Sequence, residues 1–167
     1  MDKNLRWYIE KKVERTVNNL QKNNMMGIYI RERADLFKVL QDLIVDGSTI
    51  GVGDSMSLIE LGVLDYIRDR NVDFLDKYSE KYRGKDKKKL YRANFSVDTF
   101  LTGTNAITEK GELYNIDGNG SRVAPMIYGP DQVIVIIGVN KIVRDLDEAK
   151  NRVRQLAAPI DAKRLEK

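Results

Sequence analysis

The chain of 167 residues has the length of one domain and can bury a single hydrophobic core. Its 42% hydrophobic and 32% charged residues, with a net charge of +4, are typical of a soluble globular protein. The sequence contains neither Cys nor His, which excludes disulfides, thiolate or imidazole catalysis, and metal sites that need those ligands within this chain.

Helical and extended segments alternate along the chain. Apolar residues at helical spacing indicate amphipathic helices, and short apolar runs bounded by Gly, Asn or Asp indicate strands. In chain order we predict a helix over 5–20 within an N-terminal segment 1–24, a strand over 26–30, a helix over 34–44, a strand over 49–52, a helix over 56–70 that bends near Gly62, strands over 72–75, 97–102, 112–116 and 132–137, and a helix over 146–156.

This alternation predicts an α/β fold in which a mainly parallel sheet is flanked by helices. The continuous apolar run over 133–137 is typical of a central strand that is buried on both faces. No internal repeat or low-complexity linker interrupts the sequence. We therefore expect a single domain over residues 1–167.

The segment 77–92 concentrates positive charge, with eight basic residues against two acidic ones. Its tyrosines, Tyr78, Tyr82 and Tyr91, suggest nucleic-acid binding through phosphate contacts and base stacking. A solvated surface, or a basic insertion or lid over an anionic ligand, are the alternatives. Because no recognised nucleic-acid motif accompanies the charge, we prefer the solvated or lid interpretation.

The turn after the strand at 49–52 is the first candidate binding site. Glycines allow close approach of the backbone, and the start of the following helix attracts a phosphate or carboxylate. The residues assigned to it are Gly51, Gly53, Asp54, Ser55, Met56 and Ser57. The alternative is that Asp54 or Ser55 only caps the helix. A carboxylate at Asp54 also repels an anion, which argues against a site for phosphate alone.

Polar residues and glycines follow two later strands. Asp117 is the candidate catalytic carboxylate, and Arg122 is a candidate clamp for a substrate carboxylate or phosphate. The alternatives are a simple β-turn in the first segment, and an Asp–Gly turn with a structural Asp117–Arg122 pair in the second. The residues assigned to ligand binding here are Thr102, Gly103, Thr104, Asn105, Asn115, Asp117, Gly118, Asn119, Gly120 and Arg122.

Three more residues complete the candidate site. Glu60 lies about one helical turn beyond Ser57 and is the second candidate catalytic carboxylate, with a solvated helix glutamate as the alternative. Asn140 and Lys141 follow the strand at 132–137 and are candidates for binding an anion. Because carboxyl ends of parallel strands share one sheet edge, we predict that all these segments, including the strand that leads to Asp117, line a single cleft.

Several of these segments carry a family resemblance. TGTNAIT, ELYNIDGNGSRVAPMIYGP, VIVIIGVNKIVRDLDEAKNRVRQLAAPIDAKRL and, more weakly, GVGDSMSLIELG resemble the LUD-domain (lactate-utilisation, LutC-like) family. The resemblance implies the broad fold of ribose-5-phosphate isomerase, glucosamine-6-phosphate deaminase and the CoA transferases. Related CoA transferases use a Glu nucleophile. Relatives often carry Gly where Asp54 stands, and some continue beyond the equivalent of 162–165 into a cysteine-bearing tail.

The resemblance also implies a function. We expect a cytoplasmic, non-redox component that binds a small anionic metabolite in a system oxidising lactate to pyruvate, beside iron–sulfur or flavin oxidoreductase subunits. The alternative is an independent isomerase or transferase acting on a phosphorylated or CoA-linked small molecule, with Asp117 or Glu60 as base or nucleophile. We expect no metal or cofactor in this chain and no membrane span, and the pattern leaves the oligomeric state open.

Overall fold

The structure is a computed structural model that describes residues 2–82 and 86–164. The predicted α/β domain with a parallel sheet flanked by helices is confirmed. Its described residues form two compact units. The parallel-sheet unit contains residues 30–103 and 117–136, apart from 83–85, and the hairpin unit contains residues 2–29, 104–116 and 137–164.

The parallel-sheet unit is built on four parallel strands in the order β2-β1-β3-β6. Its strands are β1 (Thr49–Val52), β2 (Asp73–Leu75), β3 (Thr99–Thr102) and β6 (Gln132–Val135). Its helices are α2 (Arg33–Leu43), α3 (Met56–Glu60), α4 (Val63–Arg68), α5 (Asp86–Ala93) and α6 (Val123–Ile127), with 3-10 turns at Glu80–Tyr82 and Asn94–Ser96. β1 and β3 are adjacent, so their carboxyl ends lie side by side.

Both faces of this sheet are covered. On one face, apolar residues of α2, α3 and α4 pack against Ile50, Val52 and Leu101, which alternate along their strands as burial of one face requires. The opposite face carries Gly51 and the 3-10 turn after α5. A Cβ on Gly51 would lie 2.6 Å from Oδ1 of Asn94, so a larger residue does not fit there. Gly51 therefore serves packing at this position.

The hairpin unit contains a three-stranded sheet in the order β5-β4-β7. Its strands are β4 (Ala106–Thr108), β5 (Leu113–Tyr114) and β7 (Ile142–Val143), and its helices are α1 (Lys3–Lys22), α7 (Leu146–Arg152) and α8 (Ala158–Arg164). β4 and β5 are antiparallel around a turn in which Gly111 has φ +81°, a conformation that favours glycine. Val13 of α1 packs on Ile107 and Ile142.

Most predicted elements are present. The helices over 5–20 and 34–44 and the strands at 49–52, 72–75 and 97–102 are confirmed with small shifts of their ends. The predicted bend near Gly62 is confirmed, since this residue has φ +71° and separates α3 from α4. No helix in the described ranges has the length and apolarity that crossing a membrane requires.

Three sequence predictions about strands are wrong. Residues 26–30 form no strand, because an extended run needs a pairing partner and none of the described strands pairs with it. The segment 112–116 contributes only β5, which is antiparallel and belongs to the hairpin sheet. The run 133–137 forms β6, which is a half-buried edge strand instead of a central one. The helix predicted over 146–156 is confirmed, with a change from α-helical to π-helical geometry at Val153–Ala157.

Candidate functional site

The carboxyl ends of β1 and β3 form the centre of the candidate site in the parallel-sheet unit. The amide of Gly53 donates to the carbonyl oxygen of Leu101 at 2.9 Å, which continues the pairing of the two strands. A Cβ on Gly53 would lie 2.8 Å from Oγ1 of Thr102 and 2.9 Å from Cγ of Arg122. Gly53 is therefore needed for three chain segments to meet at this edge.

Ser55 brings a buried hydroxyl to the same edge. Only 9% of the residue is exposed, and its Oγ has no hydrogen-bond partner among the described residues. A Cβ on Gly103 would lie 2.5 Å from this oxygen, so the hydroxyl faces the end of β3. Ser55 makes no side-chain capping bond to α3, and α3 spans only five residues. The helix-cap alternative for Ser55 is therefore not observed, and a helix-dipole site is not supported.

Arg122 places a positive charge beside Ser55 and Gly103. It is 7% exposed, and its Nη1 donates to the carbonyl oxygen of Gly103 at 3.0 Å. A buried guanidinium is costly unless it is hydrogen-bonded and close to opposite charge. Asp117 supplies that charge, since its interaction with Arg122 helps to hold its own pKa down. The loop 117–122 is therefore held against the end of β3.

Asp117 organises the start of α6. Its Oδ2 accepts hydrogen bonds from the amides of Arg122 at 2.8 Å and Val123 at 3.1 Å. Burial by itself raises the pKa of Asp117, but these amides, that of Asn119 and the Arg122 charge together lower it below the usual value. A general base works best with a pKa near the operating pH, so the arrangement favours the structural alternative for Asp117. Its predicted catalytic role stays a prediction.

A second charged cluster lies at the carboxyl end of β1. The carboxylate of Asp54 accepts from Nζ of Lys77 at 2.7 Å and from the hydroxyl of Tyr78 at 3.1 Å. The Lys77 side chain is only 6% exposed, and Nζ lies 5.3 Å from the ring centre of Tyr78 and 5.7 Å from that of Tyr91. Asp54 therefore belongs to a cluster with the two ends of the basic segment.

Tyr91 connects this cluster to the loop 117–122. Its pKa is raised, first by burial and then by the negative charges of Asp54 and Asp117, while a hydrogen bond with the Ser121 side chain opposes the rise. The phenol is thus within electrostatic reach of both aspartates. Sequence reasoning missed Lys77, Tyr91 and Ser121 as site residues. Lys77 follows the end of β2, so the rule that assigned the other strand ends would have found it.

The remaining predicted residues of this unit lie on its surface or in its core. Met56 and Glu60 are exposed on α3, Ser57 is buried in the same helix, and Gly118 and Asn119 are exposed in their loop. Gly120 has φ +77°, which fits a turn that favours glycine. The role of Glu60 as a catalytic carboxylate stays a prediction. Of the basic segment, residues 83–85 lie outside the described residues.

Thr104, Asn105 and Asn115 form a separate network in the hairpin unit. The Thr104 hydroxyl donates to Oδ1 of Asn115 at 3.0 Å, and the amide of Ile116 donates to Oδ1 of Asn105 at 2.9 Å. These bonds fasten the ends of β4 and β5 to each other. The structure therefore gives all three residues a local structural role, which agrees with the turn alternative for this segment.

Arg152 links two predicted residues of the hairpin unit, and sequence reasoning did not single it out. Its guanidinium donates to the carbonyl oxygens of Asn105 at 2.5 Å and Asn140 at 3.3 Å. Burial lowers the pKa of Arg152. Lys141 lies in the same 3-10 turn as Asn140, Val139–Lys141, and is half-buried.

The residues predicted to line a single cleft thus fall into two groups, one within each unit. Within the parallel-sheet unit, the segments at Gly53, Ser55, Gly103 and 117–122 converge as expected, although β5, the strand before Asp117, belongs to the hairpin sheet. Within the hairpin unit, Asn105 and Asn140 are joined by Arg152. A cleft that contains both groups stays a prediction.

A depression of about 500 Å³ lies at the amino edge of the parallel sheet and includes Asp98 and Thr99. The carboxylate of Asp98 accepts from the amide and the hydroxyl of Thr49, at 2.6 and 2.7 Å, and these bonds lower its pKa. Asp98 therefore fixes the start of β1. We place the candidate site at the carboxyl edge, where buried polar groups and glycines converge.

Comparison with known proteins gives one match. A family model described as LUD domain matches residues 13–167. No curated protein and no solved structure matches the chain. The expected likeness to ribose-5-phosphate isomerase, glucosamine-6-phosphate deaminase and the CoA transferases therefore stays a prediction.

Proposed function

This chain belongs to the LUD domain family, and we propose that it is a LutC-like, small-anion-binding component of a system that oxidises lactate to pyruvate. The family is associated with lactate utilisation, which supports this pathway. The sequence contains no Cys or His, so we assign it a non-redox role. Iron–sulfur or flavin oxidoreductase subunits would then carry the electrons as its partners.

The observation that carries the binding role is the pairing of Ser55 with Arg122 at the glycine-lined end of β3. Arg122 supplies a buried positive charge, and Ser55 supplies a buried hydroxyl that has no hydrogen-bond partner within residues 2–82 and 86–164. A 2-hydroxy or 2-oxo acid carries a negative charge that Arg122 attracts, and next to its carboxylate it has an oxygen that accepts hydrogen bonds from both groups. We therefore propose that the ligand is of this class.

Calorimetric titration with L-lactate and pyruvate tests the binding role. We expect a dissociation constant that Arg122→Met raises by at least tenfold, because the variant removes the positive charge. Arg154→Gln is the matched control, since it removes an exposed arginine charge in the hairpin unit and should leave binding unchanged. Binding of sugar phosphates or CoA esters, without binding of either acid, would replace this proposal with the independent isomerase or transferase.

The role in lactate oxidation needs a test in cells. Deletion of the gene should abolish growth on lactate as sole carbon source, and the wild-type gene should restore it. A tagged copy should co-purify with iron–sulfur or flavin-containing oxidoreductase subunits. Co-purification with ribosomes or nucleic acid would contradict the proposal and would favour the nucleic-acid interpretation of the segment 77–92.

A further inference from the structure

The environment of Asp54 has the chemistry of a carboxylate-binding site. Lys77 and Tyr78 direct two donors to the same atom, Oδ1 of Asp54, at 2.7 and 3.1 Å. An ammonium and a phenol hydroxyl that converge on one oxygen stabilise negative charge at that position. Lys77 and Tyr78 thus provide the two donors, and the carboxylate that accepts from them is the side chain of Asp54.

Exposure differs sharply between the two partners of this pair. The Lys77 side chain is 6% exposed, whereas that of Asp54 is 38% exposed. A buried ammonium loses hydration, and the faces of the Tyr78 and Tyr91 rings at 5.3 and 5.7 Å compensate for part of that loss. The cation is therefore fixed in the protein wall, and the carboxylate lies on the solvent side of it.

The position of the cluster connects it to the candidate site. Asp54 follows Gly53 directly and precedes Ser55, so it lies at the carboxyl edge of β1, where ligands of parallel sheets bind. Tyr91 connects this cluster to the loop that carries Arg122, since its ring centre lies 5.7 Å from Nζ of Lys77 and its hydroxyl hydrogen-bonds with the Ser121 side chain. An anion that approaches this edge meets the negative charge of Asp54 before it reaches Lys77.

We propose that Lys77, Tyr78 and Tyr91 form a subsite for the carboxylate of a small organic acid, and that the Asp54 side chain occupies this subsite in the ligand-free protein. Asp54 then acts as an internal competitor, and the ligand displaces it to reach Lys77. The subsite rests on the proposed small-anion binding function and names a part of it: it binds the carboxylate of the acid, while the neighbouring 2-oxygen faces Ser55 and Arg122. The subsite complements a single carboxylate, since it contains one ammonium group, that of Lys77, and this group contacts one carboxylate oxygen of Asp54.

The competing explanation is a structural ion pair that only anchors the start of the basic segment. The two explanations differ in whether one effect needs Lys77. Removal of the Asp54 charge improves binding of an external carboxylate under either explanation, because its repulsion disappears. The gain depends on Lys77 only if Asp54 competes for it, since the released ammonium then binds the carboxylate.

Calorimetric titration with pyruvate at fixed ionic strength measures this gain and its dependence on Lys77. We expect Asp54→Asn to lower the dissociation constant of pyruvate by about tenfold, and Asp54→Glu, which keeps the charge, to give no such gain. Asp73→Asn is the matched control. This change removes an exposed carboxylate at the amino end of the neighbouring strand β2. The dissociation constant of pyruvate for this variant should therefore stay within about twofold of the wild-type value.

A background without the Asp54 carboxylate shows whether the gain depends on Lys77 and Tyr78, and Asp54→Ser supplies this background should Asp54→Asn fail to fold. In that background Lys77→Met should remove the gain and Tyr78→Phe should weaken pyruvate binding by about threefold or more, because Asp54 no longer competes for either donor. A gain that persists without Lys77, or unchanged or weaker affinity in Asp54→Asn, overturns the subsite. If the wild-type protein binds pyruvate while Asp54→Asn shows no gain, only the subsite falls. If no variant binds pyruvate or L-lactate, the proposed function falls with it.

Discussion

The buried guanidinium of Arg122 donates to the carbonyl oxygen of Gly103 at 3.0 Å, which fixes a positive charge at the end of β3. Gly103 in turn lies against Ser55, whose hydroxyl has no partner among the described residues. The hydrogen bond between Arg122 and Gly103 therefore lies next to the buried hydroxyl of Ser55, at the centre of the candidate site. Changes at these positions should affect stability and ligand binding differently.

Arg122→Met should destabilise the protein by about 2 kcal/mol, since it leaves the Gly103 carbonyl without its charged donor. It should also raise the dissociation constants of L-lactate and pyruvate by at least tenfold. Arg122→Lys keeps the charge and should retain more affinity than Arg122→Met. Urea denaturation measures the free energy of unfolding, and titration calorimetry measures the binding. A fully stable Arg122→Met protein would contradict the role of the Gly103 bond.

Ser55→Ala should raise the free energy of unfolding by about 1 kcal/mol, because a buried hydroxyl without a partner carries a desolvation cost. The same change should weaken binding of the 2-hydroxy acid. Thr102→Val is the contrasting variant. Its hydroxyl donates to the Gly103 carbonyl oxygen at 3.2 Å, so its removal should lower stability. A loss of stability in Ser55→Ala would show that its hydroxyl has a partner in solution.

Gly103→Ala should destabilise the protein by about 1–3 kcal/mol, because the new methyl group would lie 2.5 Å from Oγ of Ser55. Ser55→Gly removes that obstacle and should restore part of the loss. The double-mutant cycle should therefore give a coupling energy above about 0.5 kcal/mol. Gly118→Ala is the control, since a Cβ there meets no atom within 4 Å and stability should change little.

Asp117→Asn should change how stability depends on pH. The folded-state pKa of Asp117 lies below its ordinary value of 3.8, so its carboxylate stabilises the fold above that pH. This contribution is lost as the pH falls through the lower folded-state pKa. The variant should therefore be less stable than the wild type at pH 7, and the difference should shrink below about pH 4. Urea denaturation across this range measures it, and a difference independent of pH would exclude ionisation of Asp117 as its cause.

Local sequence patterns predicted most elements of the parallel-sheet unit. The strand at 49–52 is identical in the structure, and Gly62 marks the break between α3 and α4. These features depend on residues that are close in sequence, such as an apolar run ended by glycine, so the pattern alone was sufficient.

Pairing partners and the edges of sheets could not be read in the same way. An apolar run does not show which strand it pairs with. The sequence therefore predicts wrongly that 112–116 belongs to the parallel sheet and that 133–137 forms its central strand. The basic segment likewise indicated charge but not location. That two of its residues, Lys77 and Tyr91, lie close to each other follows from contacts between positions far apart in the chain.

The sequence by itself determined the family, the α/β class and the strand ends that carry glycines, because these depend on residue identity and local order. Tertiary structure alone decided that Ser55 keeps a buried hydroxyl beside Gly103, that Asp117 caps α6, and that Lys77 holds Asp54. The reason is that burial and hydrogen bonding depend on which distant segments meet. The free energy that stabilises those contacts is distributed over the whole core, so no short sequence pattern identifies them.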